Sequence, residues 1–268
     1  MINTAYPFAV AGQIDLNLII GTIFFLGPYN LLMYGINDVF DYESDLRNPR
    51  KGGIEGALLA PKWHRLTIWA AIISSFPFVL HLYVYGNLSS NIWTTVILFT
   101  VIAYSAKGLR FKEKPFLDSI TSASHFVGPM VFGLALAGAD LTDFKLLSMI
   151  LAFTLWGIAS HAFGAVQDLQ ADREGGISSI ATVIGARATV RFAFMAYLAA
   201  GLLVLNAGWP GALAAIAAIP YLVIVGPFWN ITDANCEDAN RGWKKFIWLN
   251  FFAGFVVSLL VIWFAITR

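Results

Sequence analysis

Residues 35–53, GINDVFDYESDLRNPRKGG, close an almost wholly apolar run that begins near residue 16. Asp38, Asp41 and Asp45 follow one another at i, i+3 and i+7, which places them on one stripe of a helix. Asn30, Tyr34 and Asn37 extend that stripe inward. An aspartate at the centre of a membrane helix costs about 2.5–3.5 kcal/mol. The cost is lower near the interface, but a group of them still needs a compensating partner. Arg47, Arg50 and Lys51 come directly after the acids, so the helix end carries both signs of charge.

The rest of the chain places that helix in a membrane. Of the 268 residues, 58% are hydrophobic and 12% charged, where a soluble domain carries about a quarter charged residues. Eight runs are long and apolar enough to cross a bilayer, at about 16–43, 64–86, 89–106, 117–138, 143–168, 187–206, 209–230 and 244–266. Arg47, Arg50, Lys51, Lys62 and Arg65 follow the first run, and Lys107, Arg110, Lys112 and Lys114 the third. Arg173, Arg187 and Arg191 follow the fifth, and Arg241, Lys244 and Lys245 the seventh, leaving only Lys145 and Arg268 of the 17 basic residues for the other side. The positive-inside rule makes the basic side cytoplasmic. Residues 4–13 are apolar but too few to cross, and are read as the remnant of a first helix. The formal net charge of +1 and the absence of a basic tail give no sign of nucleic-acid binding. The one cysteine, Cys236, excludes a disulfide or a thiolate metal cluster within a single chain.

The acidic pattern recurs at the end of the fifth run. HAFGAVQDLQADREGG puts His161, Asp168 and Asp172 at i, i+7 and i+11, again followed by an arginine and a glycine pair. A lone aspartate near a helix end reads as a solvated interfacial residue, but two such groups at matching ends do not. Carboxylates facing each other need cations between them. Oxygen ligands with room for water suit Mg²⁺, which typically takes one or two carboxylates plus substrate phosphates. YSAKGLRFKEKPFLD, residues 104–118, brings Tyr104, Lys107, Arg110 and Lys112 to the same side, where they suit phosphate oxygens. The expectation is a Mg²⁺–diphosphate site at the cytoplasmic mouth of an all-α, polytopic membrane helical bundle. Lys62, Arg65, Lys244 and Lys245 read as topology and headgroup residues. His81 and His125 read as packing or hydrogen-bonding residues. His161 stays open between a pocket role and a packing one.

NDVFDYESD matches the N-D-x-x-D-x-x-x-D motif, and DLQAD the D-x-x-x-D motif, of the UbiA superfamily of intramembrane prenyltransferases, which the chain resembles from about residue 3 to its end. YSAKGLRFKEKPFLD looks like that family's Tyr-Ser and basic loop. NDVFDYESDLRNPRKGGIEGALL and DREGGISSIATVIGARAT look most like its lycopene elongase branch, whose members add a C5 unit to each end of lycopene. The resemblance implies nine helices, hence eight here plus a shortened N-terminal segment, in a single transmembrane prenyltransferase domain over 1–268.

Carried over residue by residue, the family's roles give Asn37, Asp38, Asp41 and Asp45 to one Mg²⁺ and Asp168 and Asp172 to the other. Asp38, Asp41, Asp168 and Asp172 are thereby catalytic, and Tyr104, Lys107, Arg110, Lys112, Arg50 and Arg173 hold the diphosphate. The resemblance implies dimethylallyl diphosphate as donor, a hydrophobic acceptor, and association with a carotenoid cyclase subunit. The acceptor could also be a quinone precursor, a tetrapyrrole or a glycerol phosphate. A cation-coupled transporter is the rival from another class, but transporter acids sit near the midplane on broken helices, not at helix ends beside lysines and arginines.

Overall fold

The computed structural model describes residues 15–46 and 58–266, and these are all-helical apart from turns and loops. The proposed N-terminal remnant, Arg47, Arg50 and Lys51 lie outside the described residues. Eight helical spans are long and apolar enough to cross a membrane: Leu16–Glu43, Pro61–Tyr85, Leu88–Ser105, Leu117–Leu136, Phe144–Val166, Ala186–Ala207, Gly211–Phe228 and Asp233–Phe264. Each overlaps one of the eight runs expected from the sequence. Exposed Ile73, Trp248 and Phe251 are 67%, 77% and 73% accessible, a surface that only lipid would cover.

The first span is two helices, α1 (Leu16–Leu26) and α2 (Pro28–Asp45). Pro28 has no N–H to continue the ladder. The break is patched by Asn30, whose Nδ2 donates to the carbonyls of Phe25 and Leu26, both at 3.0 Å. Asn30 therefore repairs the backbone, a role that its place on the acidic stripe had not suggested.

α3 (Pro61–Tyr85) opens with proline at a position where the missing N–H costs nothing. Between it and α4 (Leu88–Ser105), a Cβ at Gly86 would lie 2.4 Å from the Leu82 carbonyl oxygen, so only glycine fits this turn. Asn87 caps α4 by accepting from Ser90 N at 2.8 Å, and its Nδ2 donates to Ala135 O, also at 2.8 Å. That second bond ties the start of α4 to the end of α5 (Leu117–Leu136).

The central helix is α5, with 72% of its apolar window buried against 11–39% for the other spans. Small residues let its neighbours close in. A Cβ on Gly157 of α6 (Phe144–Val166) would meet Ala123 Cβ at 2.9 Å, and one on Gly128 would meet Ile97 at 2.7 Å. Such close approaches drive helix association where lipid removes the hydrophobic contrast. One apolar core lies among α1 to α5, around Phe24, Leu82 and Phe132. A second joins α6, α9 (Ala186–Val204), α10 (Ala218–Val225) and α11 (Asn240–Ile266) around Phe163, Tyr197 and Phe246, and a smaller third gathers Val127, Met130, Val131 and Leu134 of α5. Between α6 and α9 lie the short α7 (Leu169–Glu174) and α8 (Ile180–Ile184).

Candidate active site

The last two turns of α2 carry Asp38, Asp41 and Asp45, with Asp41 and Asp45 buried and Asp38 half-buried. The turn after α4 folds back onto this helix end. There a short 3₁₀ turn, Phe111–Glu113, sets Lys112 in an ion pair with Asp41. Arg110, in a left-handed conformation (φ 39°), pairs with Glu113. That hydrogen bond raises the Arg110 pKa further and keeps the guanidinium charged. One helical turn back, Ser105 Oγ donates to Asn37 Oδ1 at 3.0 Å, clamping α4 to α2. Tyr104 is half-buried, with its ring edge-on to His125 at 5.3 Å, and Lys107 is exposed. The basic loop thus meets the first acidic group, as the alternation of spans requires.

The second acidic group sits differently from the single helical stripe expected. α6 stops at Val166, and Asp168 serves as the N-cap residue of the separate helix α7, which holds Asp172. Both aspartates are half-buried. The continuous i, i+7, i+11 stripe is therefore broken at Gln167–Asp168, and His161 is left on α6 alone. Gly176 has φ +69°, and its turn lets Ile177 N donate to Asp172 O at 2.8 Å. Such a left-handed closing residue is where glycine costs least.

Arg173 was expected to grip diphosphate, but the structure occupies it elsewhere. Its guanidinium donates to Asp233 Oδ2 at 2.8 Å and to the Thr182 carbonyl at 3.0 Å. Asp233 Oδ1 in turn accepts from Ala186 N at 2.8 Å, capping α9. This arginine braces the loops around α7 and α8.

Two residues that the sequence reading passed over join the two acidic groups. Asp118, fully buried in the first turn of α5, accepts from Ser119 N at 2.7 Å and from Ile180 N at 2.8 Å. Ile180 N starts α8, and the neighbouring Ser179 Oγ donates to Asp172 Oδ2 at 3.4 Å. Asp118 N also donates to Lys114 O at 2.8 Å, at the end of the basic loop. A path of hydrogen bonds and short chain segments thus runs from the basic loop to the second acidic group. The signal available in the sequence was the spacing of Asp118 and His125, two polar residues at i and i+7 on one face of an apolar helix.

Among the described residues, no three carboxylate, histidine or cysteine side chains converge on one point able to hold a metal ion. The first acidic helix end instead presents three carboxylates beside Lys112, and the second presents Asp168 and Asp172. Hard oxygen donors that leave coordination positions open fit Mg²⁺ shared with a phosphate, so the donor set suits the ion expected there.

A membrane-embedded helical bundle with two aspartate-bearing helix ends and a basic loop at one mouth has the form of an enzyme that handles diphosphate esters of lipids. The family model described as the UbiA prenyltransferase family matches residues 2–254, and the chain belongs to that family of membrane prenyltransferases. Over 266 residues it is 50% identical to the lycopene elongase/hydratase of Corynebacterium glutamicum, covering 97% of this chain and 92% of that one. It is 54% identical over 268 residues to the C(50) beta-cyclic carotenoids biosynthesis protein LbtBC of Dietzia sp. (strain CQ4). The match covers 98% of this chain but spans only 62% of the Dietzia protein. A UbiA homolog from Archaeoglobus fulgidus shares the fold at 16% identity. Bound to GPP and Mg²⁺ it gives a TM-score of 0.69, with 99% of this chain and 94% of that chain covered. Bound to DMAPP and Mg²⁺ it gives 0.64, with 97% and 96% covered.

Proposed function

We propose that residues 1–268 form one transmembrane domain that transfers the dimethylallyl group of dimethylallyl diphosphate to lycopene, giving C45 and then C50 carotenoids. The geometry that carries this reading is Lys112 set against Asp41, a cation and a carboxylate ready to separate onto a diphosphate and its metal. The acceptor follows from the two bacterial relatives at 50% and 54% identity, whose names concern lycopene or C50 carotenoids. The archaeal neighbour's DMAPP and Mg²⁺ support the donor and the ion. In this reading the mouth faces the cytoplasm, as the distribution of basic residues favours. The Dietzia relative is named for cyclic products and extends beyond the match, which supports a cyclase as partner of the chain.

Asn37, Asp38, Asp41 and Asp45 hold one Mg²⁺, and Asp168 and Asp172 the other. When bound, the ions supply Lewis-acid stabilisation of the charge that collects on the leaving diphosphate. Lys107, Arg110 and Lys112 bind its remaining oxygens, a role proposed for Tyr104 and Arg50 as well. The C1–O bond breaks and its electron pair leaves with the diphosphate. In this reading the helices keep water from the allylic cation, and the faces of Tyr34 and Tyr104 stabilise it. The terminal double bond of the acceptor then attacks C1, and loss of a proton ends the reaction.

Membranes containing the chain, incubated with radiolabelled dimethylallyl diphosphate and lycopene, test this. Label is expected in C45 and C50 carotenoids, lost with a chelator and restored by Mg²⁺. Label that never enters a carotenoid contradicts the acceptor, and transfer indifferent to the chelator contradicts the metal.

A further inference from the structure

The transfer leaves a positive charge on the acceptor and a proton that must go somewhere, and the carboxylates of both acidic helix ends are assigned above to the metal ions. His161 lies on α6 five residues before its last residue, Val166, about 7.5 Å deeper along that helix at 1.5 Å per residue. That is the direction in which an allyl group would extend from a diphosphate anchored at the mouth.

The imidazole is held in one orientation. Ser119 Oγ donates to Asp118 Oδ1 at 3.3 Å and lies 3.1 Å from His161 Nδ1. With the serine hydrogen committed to the carboxylate, the remaining partner of Ser119 Oγ is a hydrogen on Nδ1. Nδ1–H therefore donates to the serine, and Nε2 keeps its lone pair. Asp118 is itself immobilised by the backbone N–H groups of Ser119 and Ile180. The carboxylate–hydroxyl–imidazole order fixes the tautomer as second partners of catalytic and metal-binding histidines do. Nε2 has no hydrogen-bond partner among the described residues, yet it is not sealed in, because the residue is only partly buried. His125 provides the contrast. Its Nδ1 lies 3.5 Å from Tyr29 Oη, and its Nε2 is fully enclosed with no partner, so it cannot meet a substrate.

We propose that His161 is the catalytic base that ends the reaction, with Asp118 and Ser119 as its positioning residues. After the new C–C bond forms, the tertiary carbon of the acceptor carries the charge. A C–H bond on a neighbouring carbon breaks, its electron pair becomes the new double bond, and the proton passes to His161 Nε2. The imidazolium then releases the proton to the departing diphosphate or to water at the mouth. No oxidant or reductant is needed. The assignment rests on the prenyl-transfer reading above.

The test compares diphosphate release with carotenoid formation in membranes carrying wild type, His161→Gln or Ser119→Ala, supplied with dimethylallyl diphosphate, Mg²⁺ and lycopene. In wild type the two rates match. Removal of a general base typically costs 10²–10⁴-fold. His161→Gln is accordingly expected to lower carotenoid formation by about 100-fold or more. Diphosphate release should persist: without the base the acceptor cation breaks its new C–C bond again, and water captures the returned allylic cation as dimethylallyl alcohol, which accounts for the difference. Ser119→Ala leaves the base in place without its orienting partner and is expected to lower the ratio of carotenoid to diphosphate in the same direction. An unchanged ratio in His161→Gln, or a parallel fall of both rates, overturns the assignment. If His161→Gln does not accumulate in membranes, an unchanged ratio in Ser119→Ala overturns it instead. A wild type that releases diphosphate without elongating lycopene overturns the acceptor reading and this assignment with it. Wild-type elongation with unaltered ratios in the variants overturns the assignment alone.

Discussion

Lys112 and Asp41 form a pair largely withdrawn from water, with side chains 14% and 7% exposed. Removing one partner of such a pair leaves a buried charge and costs about 3–5 kcal/mol. Lys112→Gln should therefore lower thermal stability in detergent and raise the KM for dimethylallyl diphosphate. Adding Asp41→Asn to it should recover much of the stability and none of the activity. Recovery of activity in the double variant would contradict the roles given to both residues. Arg173 gives the opposite expectation. Its pair with Asp233 is close to half exposed, which is worth about 0–1 kcal/mol, and its guanidinium faces the α8 loop. Arg173→Gln should leave the KM for the diphosphate nearly unchanged, and a tenfold rise would return this residue to the diphosphate. Asp38, Asp41 and Asp45 were legible in the sequence because carboxylates in an apolar run have few explanations. Asp118 and Ser119 were not, since one acid at the start of a helix reads as an ordinary favourable interaction with the helix dipole. Only the fold shows Ile180 N and His161 converging on them.

The elements were the most legible level, since each span is an apolar run bounded by polar residues. The breaks inside runs were less so. Pro28 was visible, yet membrane helices tolerate proline, and it took Asn30 bonding to Phe25 and Leu26 to show that the ladder is interrupted there. No glycine or proline directly follows Val166 to announce the end of α6. The short helices α7 and α8 are held by tertiary bonds, Arg173 to Asp233 and Asp118 to Ile180. Asn87 belongs to this scale. It caps α4 and also holds the Ala135 carbonyl of α5. A lost cap and a lost interhelical hydrogen bond together cost about 2 kcal/mol. Asn87→Ala should lower the thermal midpoint in detergent while kcat of the surviving enzyme stays near wild type. An unaltered midpoint would show that the α4–α5 junction is held by other contacts.

For the whole molecule, composition and charge alternation sufficed to count the crossings, while the arrangement of the helices was hidden. Nearly every face is apolar, so periodicity could not mark α5 as the helix that the others surround. The proposed orientation is checked by labelling single cysteines placed at Glu113 and at Thr142 in a background lacking Cys236. A membrane-impermeant thiol reagent should reach position 113 only from the cytoplasmic side and position 142 only from the other. The reverse pattern would invert the bundle and put the acidic mouth outside. The most direct test of the central claim, a two-metal diphosphate site that elongates lycopene, is expression of the chain in a lycopene-accumulating bacterial host and measurement of carotenoid masses. New C45 and C50 species are predicted from wild type, and none from Asp38→Asn or Asp168→Asn at equal abundance in the membrane. Unchanged lycopene with the wild-type protein in the membrane, or full elongation by either variant, would contradict it.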